Sequence, residues 1–301
     1  MRKSSFSSPA GLGAAFLAVC LTAAPALAQA PNPPAPAAPA AADAQSAPQI
    51  LPATPANDAL LAKAAKLYYS TDKTGLARFD CAVHADWRTV FLDAGNGAPV
   101  PEDDPRVLLL NSVKVTLHAR MQGGSGIDWN PPAHPAKPLD QDSIELLDKM
   151  QAGTAQMLQG FMQFWPPFVD GSVVPDSSEG LQVAPTDKGG YKMHAEGGGT
   201  SLTEVFSNDM VLEQFNVAMN GMTIDFSPAY KPTEKGLLVQ SFQARILPAG
   251  TPPEQAQEMH VALEYQTIDG FPIPARLNME VVGTGKFNFL LDGCRVNPPA
   301  E

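Results

Sequence analysis

Residue types able to carry chemistry are few and scattered in this sequence: three cysteines (Cys20, Cys81, Cys294) and five histidines (His84, His118, His134, His194, His260). Cys81-Ala82-Val83-His84 has the Cys-x-x-His look of a metal or redox site. On a strand, however, residues three apart point to opposite faces, so Cys81 and His84 cannot share a metal without a bulge. The histidines include no His-x-x-x-His pair, and the chain has no Gly-x-Ser-x-Gly elbow, P-loop or dinucleotide fingerprint. Gly123-Gly124-Ser125-Gly126 and Gly197-Gly198-Gly199 lack the lysine and following helix of a phosphate cradle, and they read as loops. Glu102, Asp103 and Asp104 lie in a Pro-flanked polar stretch and read as solvated charge. No metal, cofactor or catalytic residue is assigned, and the chain is expected not to be an enzyme. Only a triad assembled from residues distant in sequence leaves no such trace.

The elements that would position these residues follow from composition and pattern. The chain has 301 residues, 44% of them hydrophobic, and a net charge of −11 from 20 basic and 31 acidic residues. Such an acidic balance argues against a partner bound through its phosphates, so nucleic acid is not expected. Arg2 and Lys3, the apolar run over residues 11–26 and Ala26-Leu27-Ala28 before Gln29 predict a signal peptide over residues 1–28 and export to the periplasm. The alternative is a lipid anchor at Cys20, for which the bulky Val19 before it is unfavourable. Residues 29–56 read as an Ala/Pro-rich disordered linker, residues 57–297 as a single β-rich domain and residues 298–301 as a tail. No transmembrane segment is expected in the mature chain. With the leader removed, Cys81 and Cys294 remain, and an even count in an exported protein predicts a disulfide between them.

Within the domain, Leu60, Ala64, Leu67 and Tyr68 predict a short amphipathic helix ending near Gly75. Phe79, Cys81, Val83, Ala85 and Trp87 then alternate with polar residues as one strand, and Val113, Val115, Leu117, Ala119 and Met121 do so as a second. Residues 123–138 form a Gly- and Pro-rich loop. Asp142 and Glu145 have the spacing of a capping box that opens a long helix, which runs to about Trp165 and stops at Pro166-Pro167. Strand-like runs separated by turn signals follow. Asn220-Gly221 and Asp269-Gly270 are the strongest of these, so consecutive strands should pair as an antiparallel meander. Pro272 and Pro274 fall on one edge of their strand, which should be unpaired there, at a sheet margin or mouth.

This order of elements, with Tyr265, Asp269-Gly270, Pro272 or Pro274, and Arg276 near its end, resembles the periplasmic outer-membrane lipoprotein carrier (LolA-like) superfamily. The resemblance implies an α+β fold, a strongly curved antiparallel sheet forming an incomplete β-barrel covered by helices. It also implies a carrier that binds a lipid or lipoprotein acyl chain in an apolar cavity between sheet and helices. The candidate lipid-binding residues are Phe79, Val83, Trp87, Val115, Leu117, Met157, Phe161, Met162 and Trp165. Each of them also fits an ordinary core position. The alternative is a non-catalytic cell-envelope structural or protein-interaction module on the same scaffold, with an envelope protein as partner.

Overall fold

A computed structural model describes residues 54–93, 100–122, 124–132, 140–169, 173–175 and 177–298. The leader, Cys20 with its anchor alternative, nearly all of the Ala/Pro linker, and the tail beyond residue 298 lie outside the described residues, as does His134.

The chain enters through α1 (Pro55–Ala64), whose cap, Thr54, accepts a side-chain hydrogen bond from the Asn57 backbone N–H. The helix expected to continue toward Gly75 instead breaks after Ala64. Tyr68, Tyr69 and Ser70 are poor helix formers, and tertiary contacts use them in extended form. Leu237 N–H donates to Leu67 O at 2.6 Å, and Tyr69 N–H donates to Leu237 O at 2.9 Å. A Cβ at Gly236 would lie 2.7 Å from the Tyr68 carbonyl carbon, so glycine is required where this strap crosses the sheet. A single turn, α2 (Thr71–Thr74), then ends at Gly75, which is left-handed at φ 81°.

Strand β1 (Arg78–Ala85) ends two residues short of the predicted Trp87. The Asp86 carboxylate accepts from both the hydroxyl and the backbone N–H of Thr89 and so caps α3 (Trp87–Asp93). Asp104 caps α4 (Pro105–Asn111) in the same way, accepting from Arg106 N–H at 2.9 Å and from its guanidinium at 2.8 and 3.0 Å. Strand β2 (Lys114–Arg120) pairs with β3 (Ser125–Asn130), which occupies part of the segment expected to be loop. The long helix α5 (Gln141–Phe164) is capped by Asp140, two residues before the predicted cap. Its carboxylate accepts from Ser143 N–H at 2.9 Å. As expected, Pro166 and Pro167 stop the helix, in a 3-10 turn over Pro166–Phe168.

The remaining strands are β4 (Gln182–Pro185), β5 (Tyr191–Gly197), β6 (Thr200–Phe206), β7 (Leu212–Met219), β8 (Met222–Thr233), β9 (Gly236–Pro248), β10 (Gln257–Ile268), β11 (Phe271–Val281) and β12 (Gly285–Val296). They complete a 12-stranded antiparallel sheet in the order β3-β2-β1-β12-β11-β10-β9-β8-β7-β6-β5-β4. The meander is continuous from β4 to β12. Both expected two-residue turns have positive φ at each position, 46° and 74° at Asn220-Gly221 and 50° and 82° at Asp269-Gly270. Among the described residues, the one junction between strands distant in sequence is β1 beside β12. There the Cys81–Cys294 disulfide spans a separation of 213 residues, at the bulge where the register slips between Asp80 and Ala82. Closing so long a loop restricts the unfolded chain by a nominal ~5 kcal/mol.

The α+β class and the helix-covered antiparallel sheet agree with expectation, but the strongly curved, incomplete barrel does not. The sheet is neither closed nor strongly curled. Its margins, β3 and β4, are short, and α5, the strap and the Pro166–Phe168 turn cover the apolar face, so the sheet need not wrap around itself to bury that face. The proline edge is corrected in part. Strand β11 is interior, yet it pairs with β12 only from Arg276 to Val281. Beside the prolines, the Gln266 side-chain amide donates to Leu291 O at 2.8 Å.

Candidate functional site

Helix α5 crosses the apolar face of the sheet, and its two halves differ in composition. From Leu158 onward the sequence is rich in large apolar residues, and Leu158, Phe161, Met162 and Phe164 are buried. Trp165 stacks on Phe161 with ring centroids 5.9 Å apart and meets Phe79 of β1 edge-on at 6.0 Å. Its indole N–H donates to the Tyr265 hydroxyl at 3.0 Å, which in turn donates to Val239 O at 2.7 Å. Phe164 and Phe168 complete this end against Phe226 and Phe242. The result is a dry, interlocked aromatic core.

The first half of the helix carries smaller and more flexible residues at the same spacing. Only Leu147 and Thr154 are buried there, Met150 and Met157 are half-buried, and Ile144 is exposed. Beneath it lies an apolar cavity of about 50 Å³, bounded by Met150, Gly153, Thr154 and Met157 from the helix and by Trp87 and Phe289 from the side of the sheet. Trp87 is held edge-on to Trp129 of β3, with ring centroids 6.2 Å apart. Every described lining residue is uncharged. The Thr154 hydroxyl is buried and has no hydrogen-bond partner among the described residues.

Of the nine residues predicted to bind lipid, all but Met157 are buried, and only Trp87 and Met157 line this cavity. Phe79, Val83, Val115 and Leu117 share the helix-facing side of β1 and β2, where Val83 pairs with Val115 and Leu117 with Cys81. Val83 also pairs with Leu291 of β12. Phe161, Met162 and Trp165 belong to the aromatic core. Sequence reasoning missed Gly153, Thr154 and Phe289. The signal for Thr154 was its place between Met150 and Met157, four residues after one and three before the other, on a single helix face.

Three other features bring polar groups or open space together. On the outer face, His118 Nδ1 lies 2.9 Å from Asp80 Oδ1 and its Nε2 lies 3.1 Å from Asp128 Oδ2, while Arg295 is 3.5 Å from Asp80. Partial burial pulls the imidazole pKa down, but the hydrogen bonds to the two carboxylates outweigh it and hold the value above the ordinary histidine range. This arrangement ties β1, β2 and β3 together. No group of three His, Cys, Asp or Glu side chains able to hold a metal ion is found among the described residues. Glu204 of β6 is 6% exposed and has no hydrogen-bond or ion-pair partner among the described residues. Loss of solvation raises its pKa to about 8. Tyr68 and Tyr230 lie near enough to feel its charge, their rings edge-on at 5.3 Å. A hollow of about 720 Å³ is an open depression between hairpin tips, lined by turn and small residues such as Gly199, Asn220, Gly221 and Gly250. It lacks the convergent side chains of a ligand site.

Among the described residues, no helix is long and apolar enough to cross a membrane. The disulfide fits an oxidising compartment outside the cytoplasm. Compared with known families and curated proteins, the chain matches no family model and no curated protein.

Proposed function

We propose that the protein is a non-enzymatic periplasmic carrier of the LolA-like kind, holding the acyl chain of a lipid or lipoprotein between α5 and the sheet. The observation that carries this reading is the uncharged cavity beneath the first half of α5. At about 50 Å³ it is far smaller than the ~300 Å³ at which ligand pockets begin. Cargo therefore enters by lifting that half of the helix, which widens the space lined by Trp87 and Phe289. Each methylene removed from water contributes about 0.8 kcal/mol toward the cost of opening. The leader and the disulfide support the compartment, and the assignment to the superfamily rests on element order rather than on sheet curvature.

The tight packing of the aromatic core favours a second reading, a non-catalytic envelope module whose polar outer face meets a protein partner. Mass spectrometry of organic extracts separates the two, using protein purified from a Gram-negative periplasm without detergent beside a similarly handled control. Near-stoichiometric lipid is expected. A clean extract, with no uptake of added lipid, would leave the module reading.

A further inference from the structure

The geometry points to a proton-operated latch at one margin of the sheet: charged His118 holds β3 through Asp128, and the neutral ring lets that strand go. The latch does not depend on the carrier reading and needs no ligand.

His118 of β2 lies between two carboxylates on the outer face. Its Nδ1 is 2.9 Å from Asp80 Oδ1 of β1, and its Nε2 is 3.1 Å from Asp128 Oδ2 of β3. Ionised carboxylates only accept, and a neutral imidazole carries a single N–H. Both contacts are therefore hydrogen bonds only when both ring nitrogens are protonated. Loss of one proton leaves a nitrogen lone pair facing a carboxylate. The Asp80 side chain is 16% exposed, against 64% for Asp128, and the less solvated carboxylate loses more if its donor goes. The remaining N–H stays with Asp80, so the bond that breaks is the one to Asp128.

The other charged groups facing this region are Arg295 of β12, 3.5 Å from Asp80, and the cross-strand pair Arg78 of β1 and Arg120 of β2. Asp292 of β12 is engaged by His84 at 3.1 Å. From β3 itself, the residue paired with His118 is the uncharged Gly126.

Strand β3 has six residues and stands at the sheet margin, where among the described residues it pairs with β2 alone. Every second residue along it is exposed. Its Trp129 meets Trp87, a wall of the cavity under α5, edge-on. Short margin strands open at low cost, so one ion pair is a sizeable part of the hold on β3, and losing it also loosens the support of Trp87. The two carboxylates keep the folded ring charged above its ordinary pKa of 6.5. The latch is thus closed below that ordinary value and opens as pH rises through the raised one.

The test is hydrogen–deuterium exchange of the purified protein, read as protection factors for the β3 amides bonded to β2 between about pH 5.5 and about pH 9. Protection should fall about fivefold across this range, the upper end for an exposed ion pair. Its midpoint should match the His118 pKa followed by NMR, and the amides of β12 serve as the internal reference. Glu204 titrates in the same range, but it sits on β6, near the opposite margin. Asp128→Asn should abolish the slope in β3, because an amide can donate to the bare nitrogen as well as accept from its N–H, and it should lower the His118 pKa. His118→Gln, which does not titrate, should show no slope either. Protection of β3 that ignores pH in the wild type, or a slope that persists in either variant, overturns the inference.

Discussion

The two halves of α5 belong to one continuous helix lying on one sheet, yet they meet it differently. From Leu158 to Trp165 the helix presents Phe161, Phe164 and Trp165 to partners that fill the space completely, with the indole and Tyr265 hydroxyl satisfied in series. From Gln141 to Met157 it presents Met150, Gly153, Thr154 and Met157 to an apolar cavity, and the Thr154 hydroxyl is buried without a hydrogen-bond partner among the described residues. Interiors are normally packed to crystal-like density with buried polar groups bonded. A hollow beside an unsatisfied hydroxyl is therefore a local departure from what stability alone would select, and such departures concentrate at functional sites. One half anchors the helix, and the other is the half proposed to open.

The largest effects should come from breaking the anchored half and its surroundings. Trp165→Ala removes two aromatic contacts and the indole donor to the Tyr265 hydroxyl, which keeps its bond to Val239 O, and it should destabilise by about 4 kcal/mol in urea denaturation. The double change Cys81→Ser with Cys294→Ser should cost nearly as much, about 3–4 kcal/mol, by freeing the β1–β12 junction that the meander cannot hold by local turns. Met157→Ala should cost only about 1 kcal/mol, because the side chain is half-buried and the cavity is already present. Equal losses at Trp165 and Met157 would break the contrast between the halves.

A separate prediction sharpens the contrast by locating buried polarity that has nothing to do with the cavity. Glu204 holds its proton to about pH 8 in the folded state, whereas an unfolded glutamate loses it near its ordinary value of 4.5. The folded state thus binds the extra proton between those pH values, so stability should fall as pH rises from about 4.5 to about 8 and level off above. Glu204→Gln should flatten that slope and raise stability at pH 8 by about 3 kcal/mol, read from urea midpoints across pH. A slope unchanged by the substitution would place its origin elsewhere.

Much of the fold was legible because its determinants are local. Asn220-Gly221 and Asp269-Gly270 declare their turns through the positive φ they permit, and the alternation of Phe79, Cys81 and Val83 marks the inward face of β1. Cys81 and Cys294 could be paired by counting. Trp87 was misread because alternation alone does not reveal that Asp86 and Thr89 form a helix cap, and β3 was hidden by flanking glycines and prolines. Sheet curvature depends on how β3 and β4 end the order, which no local pattern contains. The cavity is a deficit in summed side-chain volume between distant elements, so sequence could name Trp87 and Met157 but not the space between them. Glu204 did leave a signal, since it falls in phase with Leu202 and Phe206 on the inward face of β6.

Hydrogen–deuterium exchange along α5, with and without saturating methyl myristate, tests most directly whether the first half of the helix is the part that opens. The amides of Gln141–Met157 should exchange faster than those of Leu158–Phe164 in the free protein. Ligand should change protection in that first half and along β1 and β12 beside Ala85 and Phe289, leaving the hairpin tips unaltered. Uniform exchange along the helix, or protection appearing at the hairpin tips instead, would contradict the account.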